Sequence, residues 1–479
     1  DTTTYNLAAA SGWNTSITAT GDAVNGLTVI SPPPAVSKVV QSSGNKAYKA
    51  GDTVTITVEF DQPVDVDGTA LQLETGSTDQ YATYSSGSGS NMIEFSYKVQ
   101  AGDSSTDLQY LATGSLELKG GAITSVANGS NADLTLPDLT DAHSLAGTSA
   151  VIIDTSAPAA PSVPDLINRS DSGDSGSDDV TNEATPTLEG TAEASASIRI
   201  YDTDGTTLLG SATADASGNW SVKTSTLNDG LHQLTAKATD AAGNVSPASA
   251  SLSVTVDTNA PSNGAASISL SADTGTSSTD FITRTASQTI TGTLSANLAA
   301  DETVQVSLDN GTTWSSATAT PGQKSFSLGN QTLSGSDTLK VRVEDRAGNT
   351  GSSVSQAYVI DTVAPAAPSA LDLKATSDLG VSNSDDITAV TTPVLSGTAD
   401  AKSGITLYDT DGTTVLGSTT ADGSGAWTIT SSVLAEGGHT LTAKAFDLAG
   451  NTSAASTSLK ITIDGTAPAA SVATVAMSK

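Results

Sequence analysis

The stretch Leu234-Thr235-Ala236-Lys237-Ala238-Thr239-Asp240-Ala241-Ala242-Gly243-Asn244 carries a strand and the turn that ends it. Its first five residues alternate apolar and polar, the period of a strand with one buried face. The turn that follows, Asp-x-Ala-Gly-Asn, is built from residues that favour tight reversals. It returns at Asp345–Asn349 and Asp447–Asn451. A second motif, Asp-x-x-Ala-Pro, begins at Asp154, Asp257, Asp361 and Asp464, at intervals of 103, 104 and 103 residues. Each turn lies 16 or 17 residues ahead of the next Asp-x-x-Ala-Pro. A fixed period of this kind identifies tandem repeats.

Two repeats are closer kin than the third. A shift of 207 residues superimposes Tyr201-Asp202-Thr203-Asp204-Gly205 on Tyr408-Asp409-Thr410-Asp411-Gly412. It also takes Trp220 to Trp427, His232 to His439 and Asp240 to Asp447. The middle repeat keeps the ends but reads Asp301–Gly311 where its neighbours carry the Tyr-Asp-Thr-Asp-Gly turn. The order is therefore type A, type B, type A. Val54–Phe60, Leu252–Val256, Val304–Leu308, Leu339–Val343 and Leu459–Ile463 alternate with period two, and Gly, Asn and Asp clusters separate the strands. Several short strands per repeat predict an all-β fold of tandem immunoglobulin-like sandwiches arranged as an extended rod. The Trp of each type A repeat is expected to anchor its core. The expected division is 1–32 as N-terminal strands (the end of a preceding domain or an extra edge), 33–155 as a larger sandwich, 156–257 as type A, 258–361 as type B, 362–464 as type A and 465–479 as a linker. Inserts near Gly76–Asn91 and Asn128–Gly147 are expected to enlarge the first sandwich.

Composition narrows the function. Of 479 residues, 51 are acidic and 19 basic, a net charge of −32, which excludes nucleic acid and anionic membrane surfaces as partners. Aspartate makes up 41 of the acidic residues, and it favours turns and hard-cation sites over helices. There is no cysteine, so disulfides and thiolate metal sites are impossible. Hydrophobic residues are 37% and aromatic residues 4%, enough for several small cores but too lean for one large core. Such domains need a staple, and bound calcium is the candidate. No run approaches the ~18 apolar residues of a membrane span. The chain opens on Asp1 with no charged-then-apolar leader, and it reads as a segment of something longer.

The runs Thr185–Glu193 and Ala238–Ser246 resemble the bacterial immunoglobulin-like repeats of giant surface adhesins, the biofilm-associated and repeats-in-toxin (RTX) adhesins secreted by type I systems. Tyr48–Phe60 and Ala82–Ser90 resemble another sandwich common in those proteins. The resemblance covers residues 33–479 and is specific for the domain type. It implies a monomeric, calcium-rigidified extender at the bacterial cell surface, without membrane insertion. Neighbouring domains of the same chain would be its partners. Another region would bind the target, whether host cell, microbe, abiotic surface or ice. The glycine-rich nonapeptides of an RTX tail and any repeated ice-binding signature are absent, so this piece is expected to be extender and not tip.

Calcium takes six to eight oxygens, and three aspartate loci recur at fixed spacing. The first is the linker aspartate: Asp154, Asp257, Asp361 and Asp464. The second is the turn aspartate: Asp240, Asp345 and Asp447. The third is an early loop in each repeat: Asp171 and Asp178, Asp273 and Asp280, Asp378 and Asp385, always seven apart. Asp165 and Asp372 lie six residues upstream in type A, where type B has Ser267. The expectation is that a linker aspartate, the early loop of the next domain and the turn of the preceding one converge on an ion. Against this stands turn chemistry, since Asp at such spacing also makes plain reversals. Asp202/Asp204 and Asp409/Asp411 read equally well as hairpin tips. Catalysis has little support: there is no HExxH, no GxSxG, and two of the three histidines share one repeat position. Two alternatives remain at this point. The first domain could itself bind sugar or peptide, or the array could be accessory to a carbohydrate-active enzyme.

Overall fold

The computed structural model describes residues 32–469. The strands expected within 1–32, and most of the linker 465–479, lie outside the described residues. Two compact units divide the rest: residues 32–165, 188–222 and 234–252 in one, and 166–187, 223–233 and 253–469 in the other.

The architecture is all-β. In the first sandwich the strand Thr53–Asp67 runs for 15 residues beside Val36–Gln41 and Ser90–Lys98. Its sheet continues through Gln80–Ser86 and Ala70–Glu74 to Gln109–Tyr110. The stretch 76–91, expected as an insert, thus supplies the inner strand Gln80–Ser86 and the first residues of Ser90–Lys98. A short second sheet joins Ala47–Tyr48, Ile152–Asp154 and Ser104–Ser105. Tyr48, Phe60, Phe95, Tyr97 and Tyr110 are buried in one core, which explains how this domain supports a larger sandwich than the repeats. Residues 145–148 form a single helical turn capped by Ser144, whose Oγ accepts from Gly147 N.

The fourth sandwich shows the type A plan. Five strands lie in the order Ile387–Thr388, Leu459–Ile463, Gly437–Phe446, Gly404–Tyr408 and Val415–Thr420. The facing sheet is Ser369–Leu373, Val394–Thr398 and Ala426–Thr430. Leu441, Ala443 and Ala445 are fully buried while the residues between them are not, as the period of two requires. Each buried Leu or Val contributes about 1.5–3 kcal/mol. Trp427 packs in this core against Gly397, where an added Cβ would stand 2.5 Å from the indole ring. Beyond the turn the returning segment leaves the ladder. The hydroxyls of Ser456 and Ser453 instead accept from the buried N–H groups of Ala443 and Ala445. The middle sandwich repeats the plan with Phe326 in place of the tryptophan, against Gly292.

Strand pairing gives each sandwich a polarity. The last strand pairs in parallel with the short strand that follows the early loop: Thr462 and Ile463 with Ile387 and Thr388, Val359 and Ile360 with Ile282 and Thr283. The linker aspartates Asp257, Asp361 and Asp464 then donate their N–H to Thr181, Thr283 and Thr388. Early loop and linker aspartate therefore share one pole. The Asp-x-Ala-Gly-Asn turn ends a strand antiparallel to the last one, and so occupies the opposite pole.

Candidate junction and cation sites

The turn aspartates are consumed by their own turns. Asp240 Oδ1 accepts from Gly243 N at 2.7 Å and Asn244 N at 2.9 Å, and its Oδ2 accepts from Asn244 Nδ2 at 2.8 Å. Asp345 and Asp447 hold Asn349 and Asn451 in the same way. The glycine of each turn has φ near +90° (91°, 87° and 86°), a conformation that suits glycine. This is turn chemistry.

The asparagine carries the turn's second role. Its amide also donates to the main-chain oxygen of the linker aspartate in the preceding domain: Asn244 to Asp154 at 2.9 Å, Asn349 to Asp257 at 2.8 Å and Asn451 to Asp361 at 2.7 Å. The early loop of that same preceding domain forms a socket around the turn. Ser172 Oγ donates to Ala347 O at 2.7 Å and Asp174 N to Arg346 O at 3.3 Å. One junction later, Thr274 Oγ1 donates to Ala449 O at 2.8 Å and Thr276 N to Leu448 O at 3.3 Å. Glycine lets the backbones meet: a Cβ on Gly348 would lie 2.9 Å from Gly173 Cα, and one on Gly450 would lie 2.8 Å from Gly275 Cα. At the first junction Lys49 Nζ donates to Gly243 O at 2.8 Å.

The convergence thus runs opposite to the expected sense. A junction joins the linker aspartate and early loop of one domain to the turn of the next. The cause is the polarity set by the parallel pairing of the last strand.

The other aspartates fall into two groups. The linker carboxylates use one oxygen each, accepting from Ser156 N, Asn259 N, Val363 N and Thr466 N at 2.9–3.1 Å. The first early-loop carboxylate of each pair is sunk at the pole, while the second is half-buried (Asp178) or exposed (Asp280 and Asp385). Asp171 and Asp378 are buried, and Asp273 is half-buried. Asp171 Oδ1, Asp273 Oδ1 and both oxygens of Asp378 have no hydrogen-bond partner. Burial pushes the carboxyl of Asp171 up, and neighbouring Asp178 adds to it. Asp273 is raised by burial and by Asp280. Asp386, which sequence reasoning overlooked, is raised by burial and by Asp372, Asp378 and Asp385. An unsatisfied buried carboxylate beside a like charge is costly unless protonated or met by a cation.

Asp178, Asp280 and Asp385 accept from the N–H two residues on, at 3.1–3.4 Å. Asp165 is exposed, and Asp372 lines a shallow groove with Trp427. A cavity of about 480 Å³ at the last junction is lined by Asp361 and Asp447 together with Asp400 and Lys402, two residues the repeat spacing did not flag. Among the described residues, no three His, Cys, Asp or Glu side chains form a group that could hold a metal ion. The hairpin-tip aspartates are staples: Thr206 N and Thr207 N and Oγ1 all donate to Asp204, and hold its carboxyl far below the usual range. Asp411 is bound in the same way. His439 bridges Asp409 and Ala435 O, which makes it architectural.

Three consecutive matches to the bacterial Ig-like domain cover residues 157–258, 260–362 and 364–465. The chain belongs to the bacterial Ig-like domain family. Among solved structures, the family member is similar to a fragment of a 1.5-MDa bacterial ice-binding adhesin, 21% identical over 64% of this chain and 98% of that one, with a TM-score of 0.25. A biofilm-associated protein domain matches over 92% of this chain and 99% of its own at 10% identity and a TM-score of 0.16. Fibronectin(III)-like modules of Clostridium thermocellum CbhA match over 41% of this chain and 94% of theirs, at 18% identity and a TM-score of 0.26. None of the curated proteins matches. No helix among the described residues is long and apolar enough to cross a membrane.

Proposed function

We propose that this array is an extender segment of a large secreted bacterial adhesin, stiffened by calcium at its domain ends and holding a ligand-binding region away from the cell. The observation that carries the reading is the recurrence, at the early-loop poles of the three repeats, of carboxylates with partnerless oxygens, two of them beside a docked turn. Asp171 with Asp178, Asp273 with Asp280, and Asp378 with Asp385 and Asp386 would supply the carboxylates, and main-chain carbonyls and water the remaining oxygens. Calcium would neutralise like charges and fix the socket loop in the shape that receives the turn. The linker aspartates contribute chiefly their main-chain oxygens, and the turn aspartates keep the knob in shape. The surface of a net −32 chain would otherwise repel itself across each junction.

The function is mechanical, and it needs no catalytic group. An extracellular position at the bacterial surface, and delivery by a type I system, follow from the same reading. Isothermal calorimetry on the chelated full chain tests it. Calcium should bind, and Asp273→Asn with Asp280→Asn should remove one class of sites while the others remain. Absence of calcium binding at millimolar concentration would sink the proposal.

A further inference from the structure

Bases are scarce in this chain, and at each described junction one bonds across the contact between turn and preceding domain. Arg346 occupies the variable position of the middle turn, and its Nε lies 3.1 Å from Asp178 Oδ2 in the socket of the second sandwich. The other turns have Ala241 and Leu448 there. At the next junction the base changes sides. Arg284, in the socket of the middle sandwich, donates to Gly450 O of the fourth domain's turn. The corresponding socket positions in the type A repeats are Asn182 and Ala389. At the first junction Lys49 of the preceding domain again supplies the base to a turn that has none.

Type B therefore has a basic residue in both its turn and its socket, while the type A turns and the counterparts of Arg284 have none; Lys402 of the fourth sandwich lines the last junction from outside the turn. A type A socket meeting a type A turn would have no base in the turn-to-socket contact itself. A type B socket meeting a type B turn would set Arg284 against the counterpart of Arg346. The alternation of the array is written in these charges.

The socket of the fourth sandwich is open among the described residues. It keeps Asp378, Gly380 and Asp385 at the places of Asp171, Gly173 and Asp178, and it has Ala389 in place of a base. Leu379 is 56% exposed and Val381 fully exposed, where the loaded sockets have Ser172 and Asp174 or Thr274 and Thr276. We propose that the junction charges form a pairing code, and that this open socket is a docking surface for an Ig-like domain of type B character, whose Asp-x-Ala-Gly-Asn turn carries a basic residue at x. Asp385 would meet that base, and Leu379 and Val381 would be covered by the incoming domain. The inference rests on the docked geometry; because Asp178 and Asp385 are also the carboxylates proposed for calcium, the code is judged on the distributions in EDTA, where loss of an ion cannot broaden them.

Pulsed electron-electron spin resonance on the full chain tests it, with and without calcium. The chain has no cysteine, so Ser225→Cys and Thr312→Cys place one label on each side of the second junction. Arg346→Asp and Asp178→Arg should each broaden the distance distribution, and the double exchange should bring back the narrow peak. A double variant as broad as the singles, or singles as narrow as the parent, overturns the code. In a second arm, a duplicate of residues 258–361 or of 156–257, the type A repeat with Ser195 in place of Lys402, follows Asp464 of the full chain through a native linker sequence. The type B copy should give a narrow distribution across the new junction, lost on Asp385→Arg, and the type A copy a broad one. Equal distributions for the two copies, narrow or broad, overturn the assignment of the partner.

Discussion

Gly275→Val should undock the fourth sandwich from the third while both stay folded. Gly275 holds a φ of +109°, and a Cβ there would stand 1.9 Å from Leu448 O and 2.9 Å from the carbonyl carbons of Leu448 and Ala449. The obstacle is backbone and cannot swing aside, so the turn must withdraw. Withdrawal breaks the bonds from Thr274 to Ala449, Thr276 to Leu448, Arg284 to Gly450 and Asn451 to Asp361. At about 0.5–1.5 kcal/mol net for each of four bonds, docking loses about 2–6 kcal/mol. The cost inside the third sandwich is smaller, roughly 1–2 kcal/mol for a side chain held in the left-handed region. Melting should therefore shift by less than about 10 °C. Spin labels at Thr312→Cys and Thr413→Cys should give a narrow distance distribution in the parent and a broad one in the variant. The junction between the second and third sandwiches should be unaffected. An unchanged narrow distribution across the last junction would refute the socket.

Chelation should lower the melting temperature, because an ion at a hundredfold excess over Kd adds about 2.7 kcal/mol to the folded state; magnesium should restore it poorly, and a curve indifferent to EDTA counts against bound calcium. In the chelated chain, acidification from about pH 7 toward the ordinary aspartate range near 4 should raise the melting temperature. Asp171, Asp273 and Asp386 have folded pKa values above the ordinary one, so their contribution is full at low pH and is lost as pH rises through those raised values. His439 acts in the same direction: burial opposes its charge, but Asp409 and Ala435 O outweigh it and raise the pKa. Its contribution is full below about pH 6.5 and is lost as pH rises through the raised value; a variant His439→Gln whose melting kept the parent's full pH dependence would exclude the histidine. Gly397→Ala should cost about 1–3 kcal/mol by driving a methyl into Trp427; denaturant unfolding of the full chain measures it, and a neutral result would mean that the indole can move.

The repeats, the strand faces and the buried tryptophans were legible because each is written locally. Leu339 to Val343 alternate in the sequence, and Leu339, Val341 and Val343 alternate in burial. The poles were not legible. Whether the loop at Asp273 or the turn at Asp345 lies beside Asp361 depends on Ile282 pairing in parallel with Val359, a contact 77 residues away that leaves no local pattern. The same distance hid the asparagine of the turn. Asn349 looks like a turn residue because it is one, and its bond to Asp257 O spans 92 residues. Arg346, Arg284 and Lys49 went unnoticed because they do not recur at one repeat position. They vary with the type of junction, so periodicity could not show them.

Small-angle X-ray scattering of the full chain in calcium and after chelation is the most direct test of calcium-stiffened junctions. In calcium the distance distribution should extend to the length of a stiff array. In EDTA the maximum dimension should shorten and the flexibility rise, with both reversed by calcium and not by magnesium. Identical distributions with and without calcium would contradict it.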